Sequence, residues 1–119
     1  MAVAYKRKLS GSTDGKPIKV VQTATAGTTI HTAVVGTTAG TFDEIWLWAY
    51  NGHTSAVVLT IEFGGADVPD QNIVLTLAPQ VGLVPIIPGL ILQNAMVVKA
   101  FASVANKVTI SGFVNSITD

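Results

Sequence analysis

Few side chains in this sequence carry reactive chemistry, and their spacing limits what they can do. His31 and His53 are its only imidazoles, and there is no cysteine. A thiolate nucleophile, a thiolate metal site and a disulfide framework are therefore all excluded. Ser55, His53 and Asp43 supply the residue types of a nucleophilic relay. No nucleophile elbow or base spacing accompanies them, so His53 reads as a solvated turn residue. His31, within a Thr-rich stretch, reads as a strand residue facing solvent or a subunit contact. Asp43 and Glu44 are adjacent, and neighbours in a strand point to opposite faces, so these carboxylates cannot converge on one bond. Asp67 and Asp70 share a loop with Pro69, where Asp commonly closes a turn through its own backbone. An oxygen-ligand cation is conceivable there, but no third ligand accompanies the pair, and no metal or cofactor is expected. Gly11-Ser12-Thr13-Asp14-Gly15-Lys16-Pro17 has the look of a phosphate loop. It lacks the Gly-Lys-Ser/Thr that opens a helix, and Pro17 and a strand follow, so a turn is expected.

Two constellations suit binding rather than catalysis. Lys6, Arg7, Lys8, Lys16 and Lys19 place five of the seven cations within the first 19 residues, against Asp14 alone. Such a segment can dock on an acidic surface. No basic stripe extends it elsewhere, and seven cations balance seven acids in 119 residues. The expectation is protein contact through Tyr5, Lys6, Arg7, Lys8 and Lys16, with neither nucleic acid nor membrane as partner. Trp46, Trp48 and Tyr50 recur at period two, forming an aromatic ladder on one face of a strand. That ladder is either a sugar-stacking platform or, in so apolar a strand, core or subunit interface.

The elements that must hold these residues are strands. Val, Ile and Thr make up 40 of the 119 residues, and all three are stiff at χ1 and favour sheets. No window keeps a helical apolar stripe for three turns. Runs of six to ten residues closed by turn signals recur instead, over 18–25, 28–35, 42–50, 56–63, 72–77, 83–87 with 89–92, 95–102 and 107–114. The spacing predicts an all-β fold, an antiparallel β-sandwich of about eight strands and jelly-roll-like, over residues 18–119. Residues 1–17 read as an extended N-terminal arm. Asn51-Gly52 is expected to form a tight hairpin turn. The Pro-broken run over 83–92 is expected to lie at a sheet edge or to switch sheets.

Length fits one domain. Residues 71–98 carry no charge, yet three prolines and several amides rule out a spanning helix. No apolar stretch backs Lys6-Arg7-Lys8, so no secretory leader is expected. Charged residues are only 12% of the chain, about half the roughly 25% usual for soluble domains. In 42–50 both faces are apolar past Glu44. Both features predict a homo-oligomer or assembly subunit whose strand faces a neighbour.

The run Lys8-Leu9-Ser10-Gly11-Ser12-Thr13-Asp14-Gly15-Lys16-Pro17-Ile18-Lys19-Val20 resembles the opening of a group of small virion proteins of tailed bacteriophages. So do Asp43-Glu44-Ile45-Trp46-Leu47-Trp48-Ala49, Leu59-Thr60-Ile61-Glu62-Phe63-Gly64-Gly65 and Val84-Pro85-Ile86-Ile87-Pro88-Gly89-Leu90. The similarity extends from Arg7 to Asn115. It implies a non-enzymatic capsid decoration (cement) protein, made in the bacterial host cytoplasm and seated on the capsid exterior. Its partner would be the major capsid protein, its state often a trimer, with the N-terminal arm reaching over the shell. A head–tail connector, tail or fibre-base subunit is the alternative within a virion. A carbohydrate-binding module using Trp46, Trp48 and Tyr50 is the alternative of a different class.

Overall fold

A computed structural model describes residues 1–119. It is all-β, with nine strand segments: β1 Val3–Lys8, β2 Ile18–Lys19, β3 Thr28–Thr32, β4 Phe42–Asn51, β5 Val57–Phe63, β6 Asn72–Leu77, β7 Val84–Leu92, β8 Val97–Ala102 and β9 Val108–Thr118. One sheet runs β1-β9-β4-β7, with β2 also on β9; the other runs β3-β8-β5-β6. All pairings are antiparallel and nested: β5 with β6, β4 with β7, β3 with β8, β2 with β9. One long hairpin rolled upon itself makes this order, which is the jelly-roll arrangement. β1 and β2 lie along the same edge of β9, opposite residues 113–118 and 109–110 respectively. Nine segments thus occupy eight strand lines.

The alternation of side chains explains the two layers. Asp43, Ile45, Leu47, Ala49 and Asn51 of β4 are buried, while Phe42, Glu44, Trp46, Trp48 and Tyr50 lie on the outer side. Val57, Leu59 and Ile61 of β5 face Val108, Ile110 and Val114 of β9 across a core of 19 apolar residues. Thr60 and Glu62, on the far side of β5, are also buried. The Glu62 carboxylate accepts from the Thr25 hydroxyl at 2.9 Å and the Gly27 amide at 2.7 Å, so the loop before β3 folds over that strand.

Three expectations are corrected. Residues 1–17 are not a free arm. Val3–Lys8 is an edge strand on β9, Leu9 is 1% exposed in the core, and residues 11–16 close a turn behind it. Val3 and Tyr5 favour a strand, and six residues in register with β9 outweigh the charge of Lys6-Arg7-Lys8, because an edge strand leaves long cationic side chains in water. Asn51-Gly52 forms no hairpin, since β4 and β5 belong to different sheets and neither residue has a positive φ. Asn51 is instead a buried corner. Its amide donates to the carbonyls of Ser55 and Ala78 at 3.1 and 3.0 Å, and its oxygen accepts from the His53 amide at 2.9 Å. The tight turn with two left-handed residues falls at Asn94 and Ala95, φ 61° and 55°, closed by Met96 N–H to the Gln93 carbonyl. Third, His31 faces neither solvent nor a subunit: it is 5% exposed.

β7 is one strand despite Pro85 and Pro88, and it lies at a sheet edge as expected. Proline lacks the N–H a central ladder needs, so only an edge tolerates it. Register shifts on either side of Trp46-Leu47 absorb the two rings.

Candidate functional site

The outer face of the five-stranded sheet gathers the aromatic residues. Cross-strand register sets Trp46 opposite Phe113, Glu44 opposite Asn115, and Tyr50 opposite Thr109. The Phe113 ring lies between the two indoles, with centroids 6.3 Å from Trp46 and 6.0 Å from Trp48 and planes inclined by 13° and 26°. These offset parallel arrangements are the favourable geometry for aromatic pairs. Lys6, also opposite Asn115, sets its ammonium 4.4 Å above the Phe113 ring, within cation–π range. The Trp46 indole packs over Gly89, where a Cβ would stand 2.7 Å from the ring, and Gly82 receives Tyr50 in the same way. Both tryptophans are half-buried by this packing, and Tyr50 is 42% exposed.

Glu44 is the one acid among them. Its Oε1 accepts from the Trp46 indole N–H at 2.8 Å and from the Asn115 amide at 3.0 Å. Asn115 foremost, then Trp46, hold the carboxyl below its ordinary 4.5 because both donors favour the charged form. Cations line one side of the same face. Lys6 and Lys8 share the outer side of β1, and Lys19 alternates with buried Ile18 and sits opposite Thr109. Lys107 precedes buried Val108 and is exposed. On a chain of zero net charge, this face is aromatic in the middle and basic along its β1–β2 side.

β1 divides the residues that charge patterning grouped together. Lys6 and Lys8 join the aromatic face. Tyr5 and Arg7 turn to the other side, with the guanidinium 5.4 Å from the Tyr5 ring, over a polar cleft of about 500 Å³. Lys16 is exposed in the turn begun at Thr13. Of the eight contact residues, Lys6, Lys8, Trp46, Trp48 and Tyr50 therefore form one surface, and Tyr5, Arg7 and Lys16 lie outside it.

Beneath that cleft lies a buried polar cluster. Asp43 Oδ2 accepts from His31 Nε2 at 2.7 Å and from the Val34 amide at 3.2 Å, and Oδ1 accepts from the Ser116 hydroxyl. His31 Nδ1 accepts from the Ser10 amide at 3.0 Å, which assigns the ring proton to Nε2. The residue types are those of a relay, but the order is not. Ser116 is held by the carboxylate rather than the imidazole, and both ring nitrogens are engaged, so this cluster has no free base facing a nucleophile. It joins the segment after β1 to β3, β4 and β9. His53 sits at the other end of β4.

Asp67 and Asp70 are both exposed, and Gln71 closes their loop by accepting from the Asp67 amide at 3.1 Å. No three His, Asp or Glu side chains come together in a metal-holding group. On the outer side of the four-stranded sheet, Glu62 and Lys99 border a cleft of about 270 Å³ walled by Gly64, Gly65 and Ala95. The Phe113 and Asn115 contributions were not legible beforehand. Phe113 alternates outward with Thr109 and Ser111, but only the β4–β9 register reveals that it completes the ladder.

No protein-family model, curated protein or solved structure matches the chain.

Proposed function

We propose that this chain is a non-enzymatic structural subunit of a bacteriophage particle, a decoration protein bound to the outer surface of the capsid shell. The observation that carries this reading is the basic, aromatic outer face of the five-stranded sheet, with Lys6 seated on the Trp46–Phe113–Trp48 stack. A face of this kind fits an acidic surface that also offers apolar contact, and the major capsid protein is the partner that the resemblance implies. Exposed ion pairs each contribute only about 0–1 kcal/mol. Attachment therefore rests on the aromatic contact and on many copies, with the lysines setting orientation and rate of encounter.

The test is binding of the whole chain to undecorated shells. Deleting residues 1–9 is unsuitable, because it would strip an edge strand and remove Leu9 from the core. Lys6→Glu with Lys8→Glu reverses the charge while leaving the backbone ladder intact. Loss of shell binding by this variant, and weaker wild-type binding in raised salt, are the expected results. Saturation of shells by the variant at both salt concentrations would overturn the docking role. Copy number in particles separates shell from connector or fibre base: hundreds against six or twelve.

The part-exposed indoles, with nearly parallel planes, and the exposed Tyr50 ring favour one second reading, a carbohydrate-binding module that stacks sugars on Trp46, Trp48 and Tyr50. Glycan-array binding lost in Trp48→Ala, without any affinity for shells, would establish that alternative.

A further inference from the structure

The four sheet edges differ in how they are closed. The β1 edge carries Lys6, Arg7 and Lys8, and the β7 edge carries Pro85 and Pro88. The β3 edge is bulged between Thr29 and His31 and covered by the β1–β2 loop: the Gly11 amide donates to the Ile30 carbonyl, and the Ser10 hydroxyl accepts from the Thr32 amide. Charge, proline, bulges and covering loops are the devices that stop an edge from pairing with another chain. β6 has none of them. Asn72–Leu77 contains no charge and no proline, and keeps an unbroken register with β5 over six pairs.

Its free side can be located. The Phe63 amide donates to the Gln71 carbonyl at 2.7 Å, so the hydrogen-bonded pairs with β5 alternate onward through Ile73, Leu75 and Leu77. The backbone groups of Asn72, Val74 and Thr76 consequently point away from β5, and no loop or side chain hydrogen-bonds to them. Val74 is 60% exposed, and Val58, beside Thr76, is 41% exposed. Ile73 and Leu75 face the interior and are only half-buried.

We infer that β6 pairs with β6 of a second copy of this chain, antiparallel about a two-fold axis at Val74. The segment is complementary to itself in that register. Val74 meets Val74 of the other copy, and Asn72 meets Thr76, so all three outward-facing residues fall in hydrogen-bonded pairs worth about six backbone bonds. A β-branched pair lies at the centre, amide–hydroxyl pairs flank it, and no like charges oppose. On the inner side Ile73 meets Leu75, which carries the core across the junction and buries what each chain leaves half-open. Two four-stranded sheets become one of eight. The pairing is independent of shell docking, which uses the opposite sheet, and it specifies a dimer where the resemblance implies a trimer.

The chain has no cysteine, so Val74→Cys places a single thiol at the axis, where facing Cα atoms about 5.5 Å apart can be bridged. Under mild oxidant, Val74→Cys should cross-link to a covalent dimer at micromolar protein, while Val35→Cys, on a residue 75% exposed elsewhere, should not. Light scattering should give the wild type about twice 12.4 kDa. Val74→Pro, which removes an outward N–H that β5 does not use, and Val74→Lys should both give the monomer mass with an unchanged far-UV spectrum. A monomeric or trimeric wild type would overturn the pairing. So would a dimer unaffected by both substitutions, or no cross-linking of Val74→Cys. Cross-linking decides the matter even where a substitution prevents folding.

Discussion

Asp43 offers the sharpest test of the interior. It is 3% exposed and accepts three bonds, from His31 Nε2, the Val34 amide and the Ser116 hydroxyl. Asp43→Ala leaves the buried His31 Nε2–H, and the half-buried Val34 and Ser116 donors beside it, without their acceptor. Removing one member of such a buried charged cluster typically costs about 3–5 kcal/mol, since each stranded donor keeps its desolvation penalty. Asp43→Asn behaves differently. An Asn oxygen at the Oδ2 position still accepts from His31 and Val34, and its amide at the Oδ1 position can donate to Ser116 once that hydroxyl rotates. All three contacts survive at neutral strength, so the cost falls to about 1–2 kcal/mol. Equilibrium urea unfolding of the three proteins reads both numbers. The thermal midpoint should fall by roughly 10–20 °C for Asp43→Ala and by a few degrees for Asp43→Asn. If Asn costs as much as Ala, the assignment of a neutral His31 with its proton on Nε2 is refuted, because an imidazolium would need the full charge. If Ala costs under about 1 kcal/mol, the cluster is not dry and does not fasten β1 to the body of the sandwich.

Gly89→Ala should destabilise by about 2–4 kcal/mol and alter tryptophan fluorescence, because its φ of 83° disfavours a side chain and its Cβ would press on the Trp46 ring. Ala95→Gly should stabilise by about 0.5–1 kcal/mol in the same unfolding assay, relieving a left-handed alanine in a turn suited to Asn-Gly. The depressed Glu44 carboxyl contributes stability that is complete above its unfolded value of 4.5 and is lost as pH falls through the lower folded one. Glu44→Gln should accordingly lower the thermal midpoint at pH 7 and flatten its decline below pH 4.5, since the neutral amide lacks the contribution that the wild type loses only on protonation.

Local pattern determined much of this molecule. Period-two alternation in 42–50 assigned Asp43, Ile45, Leu47 and Ala49 to one face and the aromatic set to the other, because side-chain direction in a strand is a property of the backbone itself. Scarce helical periodicity, closely spaced turn signals and the prolines of β7 likewise established an all-β sandwich with that segment at an edge. What pairs with what was decided only in three dimensions. Asn51-Gly52 has hairpin chemistry, yet β4 crosses to the other sheet, since nesting in a jelly roll joins strands far apart in sequence. Lys6-Arg7-Lys8 reads as a solvated arm until β9 supplies the long edge on which it pairs, and that pairing sends Lys6 and Arg7 to opposite sides. His31, Asp43 and Ser116 carry no common spacing, and 73 positions separate the carboxylate from the hydroxyl it accepts from. Their convergence belongs to the register of β3, β4 and β9. A buried polar group takes whichever partner the folded chain brings within reach, so its partners cannot be read from its neighbours in sequence.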